Sequence, residues 1–206
     1  MLLSILIPTL DARRESFEAL RAELMRQIGE REDVELLWDP DDGRLPIGAK
    51  RNALVRRARG AYVCSVDDDD EVHPRYVELV TAALATRPDC VAITVEMRFR
   101  EGAVRRLELS ARHRDYSSAG GIYRRPPHHL NPVRREIALR HPFPEVDRHE
   151  DQHWALAVAA SGELRDEVVI GEVIYRYRSR RRYAWQHLLD RTERVRHALG
   201  LRMVRA

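Results

Sequence analysis

Lysine is almost absent from this 206-residue chain. Of its 36 basic residues only Lys50 is lysine, and all the rest are arginine. A GC-rich coding sequence accounts for such a skew. The functional reading is contact with phosphate or nucleic acid, which the guanidinium fork grips better than an ammonium does. Cysteine is scarce as well. Cys64 and Cys90 each sit inside an apolar run. No disulfide framework or zinc-ligand spacing exists, which fits a reduced, cytoplasmic setting. Long hydrophobic runs are missing too. The stretch Met1–Leu10 is too short to span a bilayer and has neither a basic leader nor a small-residue cleavage site. A soluble, unsecreted protein without stable membrane insertion is the expectation. There is no internal repeat and no low-complexity linker, so residues 1–206 read as a single domain.

What is present can build a core, because 44% of residues are hydrophobic and 33% charged. The formal charge of +3 hides a division. Residues 1–100 carry 15 Lys+Arg against 19 Asp+Glu, whereas residues 101–206 carry 21 against 14. An acidic half joined to a basic half suggests a site that handles both cations and anions.

Apolar runs at Leu2–Ile7, Val34–Trp38, Ala61–Val66, Cys90–Met97 and Val104–Leu109 read as strands. Between them, Phe17, Leu20, Leu24 and Ile28 recur at helical spacing. Ile47–Ala58 reads as a helix stopped by Gly60, and His73–Ala85 as a helix with Pro74 in its first turn. This alternation predicts an α/β fold, a mostly parallel sheet flanked by helices. The second half is less regular. Tyr116–Gly121 is loop-like, and Asn131-Pro132 reads as an N-cap and first turn of a helix to Arg140. A helical segment at 150–160, a strand at Val168–Tyr177 and a C-terminal helix at Tyr183–Leu199 follow.

Five carboxylates, Asp67-Asp68-Asp69-Asp70-Glu71, follow the strand that ends at Val66. Open α/β sheets bind ligands at the carboxyl ends of strands. Clustered carboxylates repel unless a cation neutralises them, and an all-oxygen set suits Mg²⁺ or Mn²⁺. The Asp67-x-Asp69 spacing sends two carboxylates to one side of an extended chain. A solvated acidic turn is the plain alternative. His149-Glu150-Asp151-Gln152-His153-Trp154 opens a helix after Pro142-Phe143-Pro144. Acidic residues there complement the helix dipole, and Trp154 fits either a stacking platform for a sugar or base or a core position. Arg176–Tyr183 packs five arginines beside tyrosines, a pattern that suits a nucleic-acid backbone or a solvated loop.

Three segments together resemble the family-two glycosyltransferases of the GT-A fold. Ser4-Ile5-Leu6-Ile7-Pro8-Thr9 is similar to their opening strand. Ile47-Gly48-Ala49-Lys50-Arg51-Asn52-Ala53, with Ala58-Arg59-Gly60-Ala61-Tyr62-Val63, resembles the segment before their metal motif. Val66–Asp70 falls where they carry DxD. The stretch His128-His129-Leu130-Asn131-Pro132-Val133 is similar to one in small phage and bacterial members. The resemblance implies a nucleoside-diphosphate sugar, a UDP-sugar above all, held through Mn²⁺ or Mg²⁺. Asp67 and Asp69 would meet the metal, and Asp67 or Asp68 the donor. Pro8, Thr9 and Asp39 would lie beside the nucleotide, and Lys50 and Arg51 near the diphosphate. It makes Asp151 the general base of an inverting transfer and Glu150 its neighbour, with His129, Asn131 and Trp154 on the acceptor side. His128, His129, His153 and His187 are open as a third metal ligand. The basic second half favours DNA carrying a hydroxymethylated base as acceptor, which such an enzyme must flip out. A carbohydrate, lipid-linked or small-molecule acceptor is the alternative. Two other classes stay open: a basic nucleic-acid-binding module without catalysis, and a nucleotidyltransferase that releases pyrophosphate.

Overall fold

The structure, a computed structural model, describes residues 1–100 and 102–178. Strand β1 (Leu3–Pro8) is buried along its whole length. Leu3, Ile5 and Ile7 enter one core and Leu6 the other, the two-sided burial expected of a central parallel strand. β2 (Val34–Asp39) and β3 (Tyr62–Ser65) flank it, both parallel, with Leu3 opposite Val34 on one side and Tyr62 on the other. Helix α1 (Arg14–Ile28) connects β1 to β2 and buries Phe17, Leu20, Leu24 and Ile28 as one stripe. α2 (Ile47–Arg57) lies over the opposite face, where Leu54 and Val55 join Leu6 in the second core.

β4 (Glu71–Val72), α3 (Tyr76–Ala83), β5 (Cys90–Arg98) and β6 (Val104–Leu109) follow. Then come β7 (Ser117–Ala119), β8 (Ile122–Arg125), β9 (Val133–Arg134), α4 (Arg135–Arg140), α5 (Glu150–Ser161) and β10 (Glu167–Arg178). One mixed sheet runs β2-β1-β3-β9-β5-β6-β8-β7, and β10 pairs with both β4 and β5. Most of its paired length is parallel, as expected, in β1–β2, β1–β3, β5–β10 and β6–β8. The short β9 runs antiparallel to both β3 and β5 and bridges the two halves. Among the described residues no helix is long and apolar enough to cross a membrane.

Four local expectations are corrected. The third helix begins at Tyr76, not His73, because Glu71 and Val72 pair with Arg176 and Tyr175, which leaves Pro74 outside the helix. α2 ends at Arg57, and Gly60 serves another need. A Cβ there would lie 2.6 Å from the Ser4 backbone nitrogen, so only glycine allows β1 this close. Asn131 does not cap a helix. The chain forms β9 first, and α4 starts at Arg135. Ser117–Arg125 is a hairpin, turned by Gly120 and Gly121 at φ 59° and 77°. The expected C-terminal helix, Tyr183 and His187 lie outside the described residues.

Candidate active site

Beyond the carboxyl ends of β1 and β3 opens a cleft of about 730 Å³. Its walls include Pro8, Thr9, Lys50, Arg51, Asp67, Asp68, Asp69, His129, Glu150 and Asp151. The aspartate run forms the floor, and each of its members has a different neighbourhood. Asp67 accepts from Arg51 Nη2 at 2.9 Å on one oxygen and faces His129 Nε2 at 3.3 Å on the other. Burial by itself would raise its pKa, but His129 and Arg51 outweigh burial and hold the carboxyl well below the ordinary range. Asp68 is buried and accepts from Thr9 Oγ1 at 2.7 Å and Arg13 Nη1 at 2.9 Å. Asp69, partly exposed to the cleft, lies 3.5 Å from the same Arg13 nitrogen. Asp70 accepts from Tyr175 Oη at 2.8 Å and the Arg178 amide at 2.9 Å. Burial, then the charge on Asp67, pushes Asp70 up to about 8. Tyr175 Oη also accepts from the Asp67 amide at 3.1 Å, so β10 anchors both ends of the run.

α2 lends this floor its cations. Lys50 is 1% exposed and donates to the Thr9 carbonyl and to Asp41 Oδ1. Asp41 also caps the loop after β2 by accepting from the Gly43 and Leu45 amides. Arg51 is 3% exposed, and its Nε donates to Glu150 Oε1 at 3.3 Å while its Nη1 has no hydrogen-bond partner. A single guanidinium therefore joins the aspartate run to α5. Asn52, on the same helix, exchanges two bonds with the backbone of Phe143. Gly48 meets the 142–146 loop so closely that a Cβ would lie 1.8 Å from the Pro144 carbonyl oxygen. These contacts fix the loop that leads into α5.

The facing wall is built from the 110–151 segment. His128 and His129 are both buried, with their Nδ1 atoms 3.0 Å apart. His128 Nε2 lies 3.3 Å from Tyr116 Oη. Burial pushes the His128 imidazole down to about 3, so it is neutral at ordinary pH. Asn131, wholly buried, accepts from the His128 amide at 2.7 Å and donates to the carbonyls of Val91 and Leu109. It shapes the histidine turn from behind. His149 adopts φ 68°, a backbone state that non-glycine residues rarely occupy, just before Glu150 begins α5. Asp151 accepts from the Gln152 amide at 2.7 Å through Oδ1. Its Oδ2 lies 3.6 Å from His128 Nε2 and 3.9 Å from His129 Nδ1. Burial opposes ionisation of Asp151, but His128, His129 and Arg51 together hold it below the ordinary range. Burial, then the charge of Asp151, raises Glu150, and Arg51 offsets part of that rise.

The chemistry of the floor fits a hard divalent cation. Asp67 and Asp69 present carboxylate oxygens at a strand end and line the cleft. His128, His129 and Asp151 form a second grouping, with one donor atom from each within 4.8 Å of the others, better suited to an imidazole-seeking ion. Three expected site residues do not line the cleft. Asp39 ends β2 with Arg57 Nη1 3.4 Å from its carboxylate. Asn131 is the buried brace described above. Trp154 is 2% exposed, stacks on Phe143 at 5.0 Å between ring centroids, and donates to the His141 carbonyl. It is a core residue. Sequence reasoning missed Arg13, Tyr116 and Tyr175. Arg13 had one available signal: the run needs a counter-cation, and Arg13 lies four residues beyond Thr9.

Much of the basic second half is already engaged. Arg124 meets Glu108 at 3.1 Å, and Arg125 lies over the Tyr116 ring. Arg134 pairs with Asp89, and Arg135 donates to the Val55 and Arg56 carbonyls. Arg178 pairs with Glu71. Residues 179–183 of the arginine-rich stretch lie outside the described residues.

Comparison with known proteins adds to this geometry. The family described as Glycosyl transferase family 2 matches residues 41–141, which include the aspartate run and the histidine turn. Solved structures of S. aureus TarS have the same fold. One superposes with TM-score 0.63 at 14% identity, covering 87% of this chain and 37% of TarS. A complex of TarS 1–349 with UDP gives 0.63 at 15%, covering 87% and 61%. A complex with UDP-GlcNAc gives 0.63 at 15%, covering 89% and 60%. The chain thus spans less than two thirds of each of these structures. No curated protein sequence matches it.

Proposed function

We propose that this chain, a family-two-like GT-A glycosyltransferase, moves a sugar from a UDP-sugar to a hydroxyl acceptor with inversion. The observation that carries the reading is the opposition, across one cleft, of the Asp67–Asp69 floor and the Asp151 carboxylate, with Arg51 buried between them. TarS structures of the same fold hold UDP and UDP-GlcNAc. In this reading the nucleotide lies along Pro8, Thr9 and Lys50, and the diphosphate faces Asp69 and the Arg51 side. Mn²⁺ or Mg²⁺ bound at Asp69 and Asp67 would offset negative charge building on the departing diphosphate. The acceptor oxygen attacks the anomeric carbon as the bond to the diphosphate breaks. Asp151 Oδ2 takes the proton the acceptor loses. A carbohydrate or small-molecule hydroxyl fits better than a hydroxymethylated DNA base, because Arg124, Arg125, Arg134 and Arg135 are engaged within the fold.

The test is thermal melting followed by turnover. UDP at a hundred times its Kd, with Mn²⁺, should stabilise the chain by about 2.7 kcal/mol. Asp69→Ala should remove the metal-dependent part of that gain. Asp151→Asn should keep it and yet lower sugar transfer by roughly 10²–10⁴-fold. Mass spectrometry of simple glycosides and of hydroxymethylated DNA, each incubated with UDP-GlcNAc, separates the acceptors. The reading fails if neither UDP nor UDP-GlcNAc raises the melting temperature with Mn²⁺ present.

A further inference from the structure

Two straps reach Asp67, one through a guanidinium and one through a pair of imidazoles. Arg51 ties Asp67 Oδ1 to Glu150 by charge. The other oxygen of Asp67 ends a chain of three polar contacts: Tyr116 Oη to His128 Nε2 at 3.3 Å, His128 Nδ1 to His129 Nδ1 at 3.0 Å, and His129 Nε2 to Asp67 Oδ2 at 3.3 Å. The chain passes beside Asp151 without binding it. Gaps of 3.6 and 3.9 Å from the two imidazoles to Asp151 Oδ2 exceed hydrogen-bond length. Asp151 Oδ1 is taken by the Gln152 amide. The imidazoles therefore border Oδ2, the oxygen from which a proton acceptor is asked, and spend their hydrogen bonds on one another and on Asp67.

We propose that Tyr116, His128 and His129 are a positioning relay that fixes the plane of the Asp67 carboxylate from the acceptor wall while keeping Asp151 Oδ2 open to the acceptor hydroxyl. The proposal rests on the glycosyltransferase reading. Its physical basis is that both oxygens of Asp67 are held, Oδ1 by Arg51 on its own wall and Oδ2 by His129 from the facing wall. A carboxylate held at both oxygens cannot rotate, and a displacement of about 1 Å in a reacting group costs roughly 10²-fold in rate. The relay is also internally braced, since Asn131 holds the His128 amide and Arg125 covers the Tyr116 ring.

The bond to Asp67 leaves from Nε2, which sets a discriminating test. A glutamine amide nitrogen reaches about as far as Nε2, and an asparagine nitrogen only about as far as Nδ1. Turnover of UDP-GlcNAc to water, with Mn²⁺, is the assay. His129→Asn should lower kcat by 10-fold or more, and His129→Gln should restore it to within about threefold of the parent. Tyr116→Phe, which keeps the ring under Arg125, should lower kcat severalfold with the KM for UDP-GlcNAc and the melting temperature nearly unchanged. In the metal-free protein, Asp67→Asn should shift the ¹⁵N signals of His128 as well as His129, since His128 is linked to Asp67 through His129. Equal activity of the two His129 variants, or a silent Tyr116→Phe, would overturn the relay. So would an unmoved His128 signal. If Asp151→Asn is inactive while these variants match the parent, the relay alone is wrong. If Asp151→Asn is fully active, the glycosyltransferase reading of the base falls first.

Discussion

On the wall made by β1, α2 and β3, position comes from a backbone ladder and charge is balanced by paired ions. Asp68 meets Arg13, Lys50 meets Asp41, and Arg51 meets Asp67, all on elements whose strands are in parallel register. The facing wall has little ladder to rely on. Its backbone between β8 and α5 includes only the two-residue β9 and the six-residue α4, and side chains bonded to backbone hold the rest: Asn131, Asn52 and Trp154. The difference teaches where each wall is vulnerable. A ladder shares its load among many equivalent bonds, whereas a brace concentrates it in one residue.

Removing a brace is the strongest way to break the comparison. Asn131→Ala deletes three hydrogen bonds at a fully buried site and leaves the His128 amide and two carbonyls without that partner. At about 1 kcal/mol or more per bond, the loss should reach about 3 kcal/mol. For a chain of this size that lowers the melting temperature by roughly 6–12 °C, read by circular dichroism. A loss below about 1 kcal/mol would mean that this wall, too, is held by its ladder.

The same difference decides what could be read in advance. β1, α1, β2, α2 and β3 have boundaries within a residue or two of the periodic pattern, because each is apolar where it meets a core and polar where it does not. Asp67, Asp69, Glu150 and Asp151 were legible because carboxylates at a strand end or a helix start are conspicuous, and the structure brings all four to one cleft. Asn131 and Trp154 were misplaced for a physical reason. Asn-Pro is also a helix-start signal, and an amide serves backbone groups forty residues away as well as those two residues away. A tryptophan after an acidic pair carries no mark of which way its ring faces. Tyr175 and Tyr116 were invisible because their partners lie 105 and 12 residues away.

A second test probes the ladder wall at its lower end. Glu35 is buried and accepts from Ser4 Oγ at 2.6 Å, from the Arg59 amide at 2.6 Å and from Arg59 Nε at 2.8 Å. Burial opposes its ionisation, but these donors win, and its pKa lies below the ordinary value. A carboxyl lowered by folding contributes stability that is full above its unfolded pKa and is lost as pH falls through the folded one. Melting temperature should therefore decline from about pH 5 downward. Glu35→Gln should cost about 2 kcal/mol at pH 7 and flatten that acid limb. An unchanged limb would assign the acid sensitivity to other carboxylates, with Asp89, also lowered and paired with Arg134, the next to replace.

The smallest expected effect sharpens the comparison most, because it separates a brace from a binding platform. Trp154→Phe keeps a ring stacked on Phe143 but removes the indole N–H that the His141 carbonyl accepts, together with part of the ring's volume. One buried hydrogen bond and a little packing should cost about 1 kcal/mol, roughly 2–4 °C in melting temperature. UDP affinity, measured by calorimetry with Mn²⁺, should stay within twofold of the parent, since Trp154 lies in the second core behind the cleft. Turnover of UDP-GlcNAc should follow the small stability change and no more. A tenfold loss of turnover with the melting temperature intact would put the indole in contact with substrate and overturn its place in the core. A loss of stability alone would show that this wall spends its large side chains on holding the loop before α5, and so on aiming Asp151, rather than on touching the acceptor.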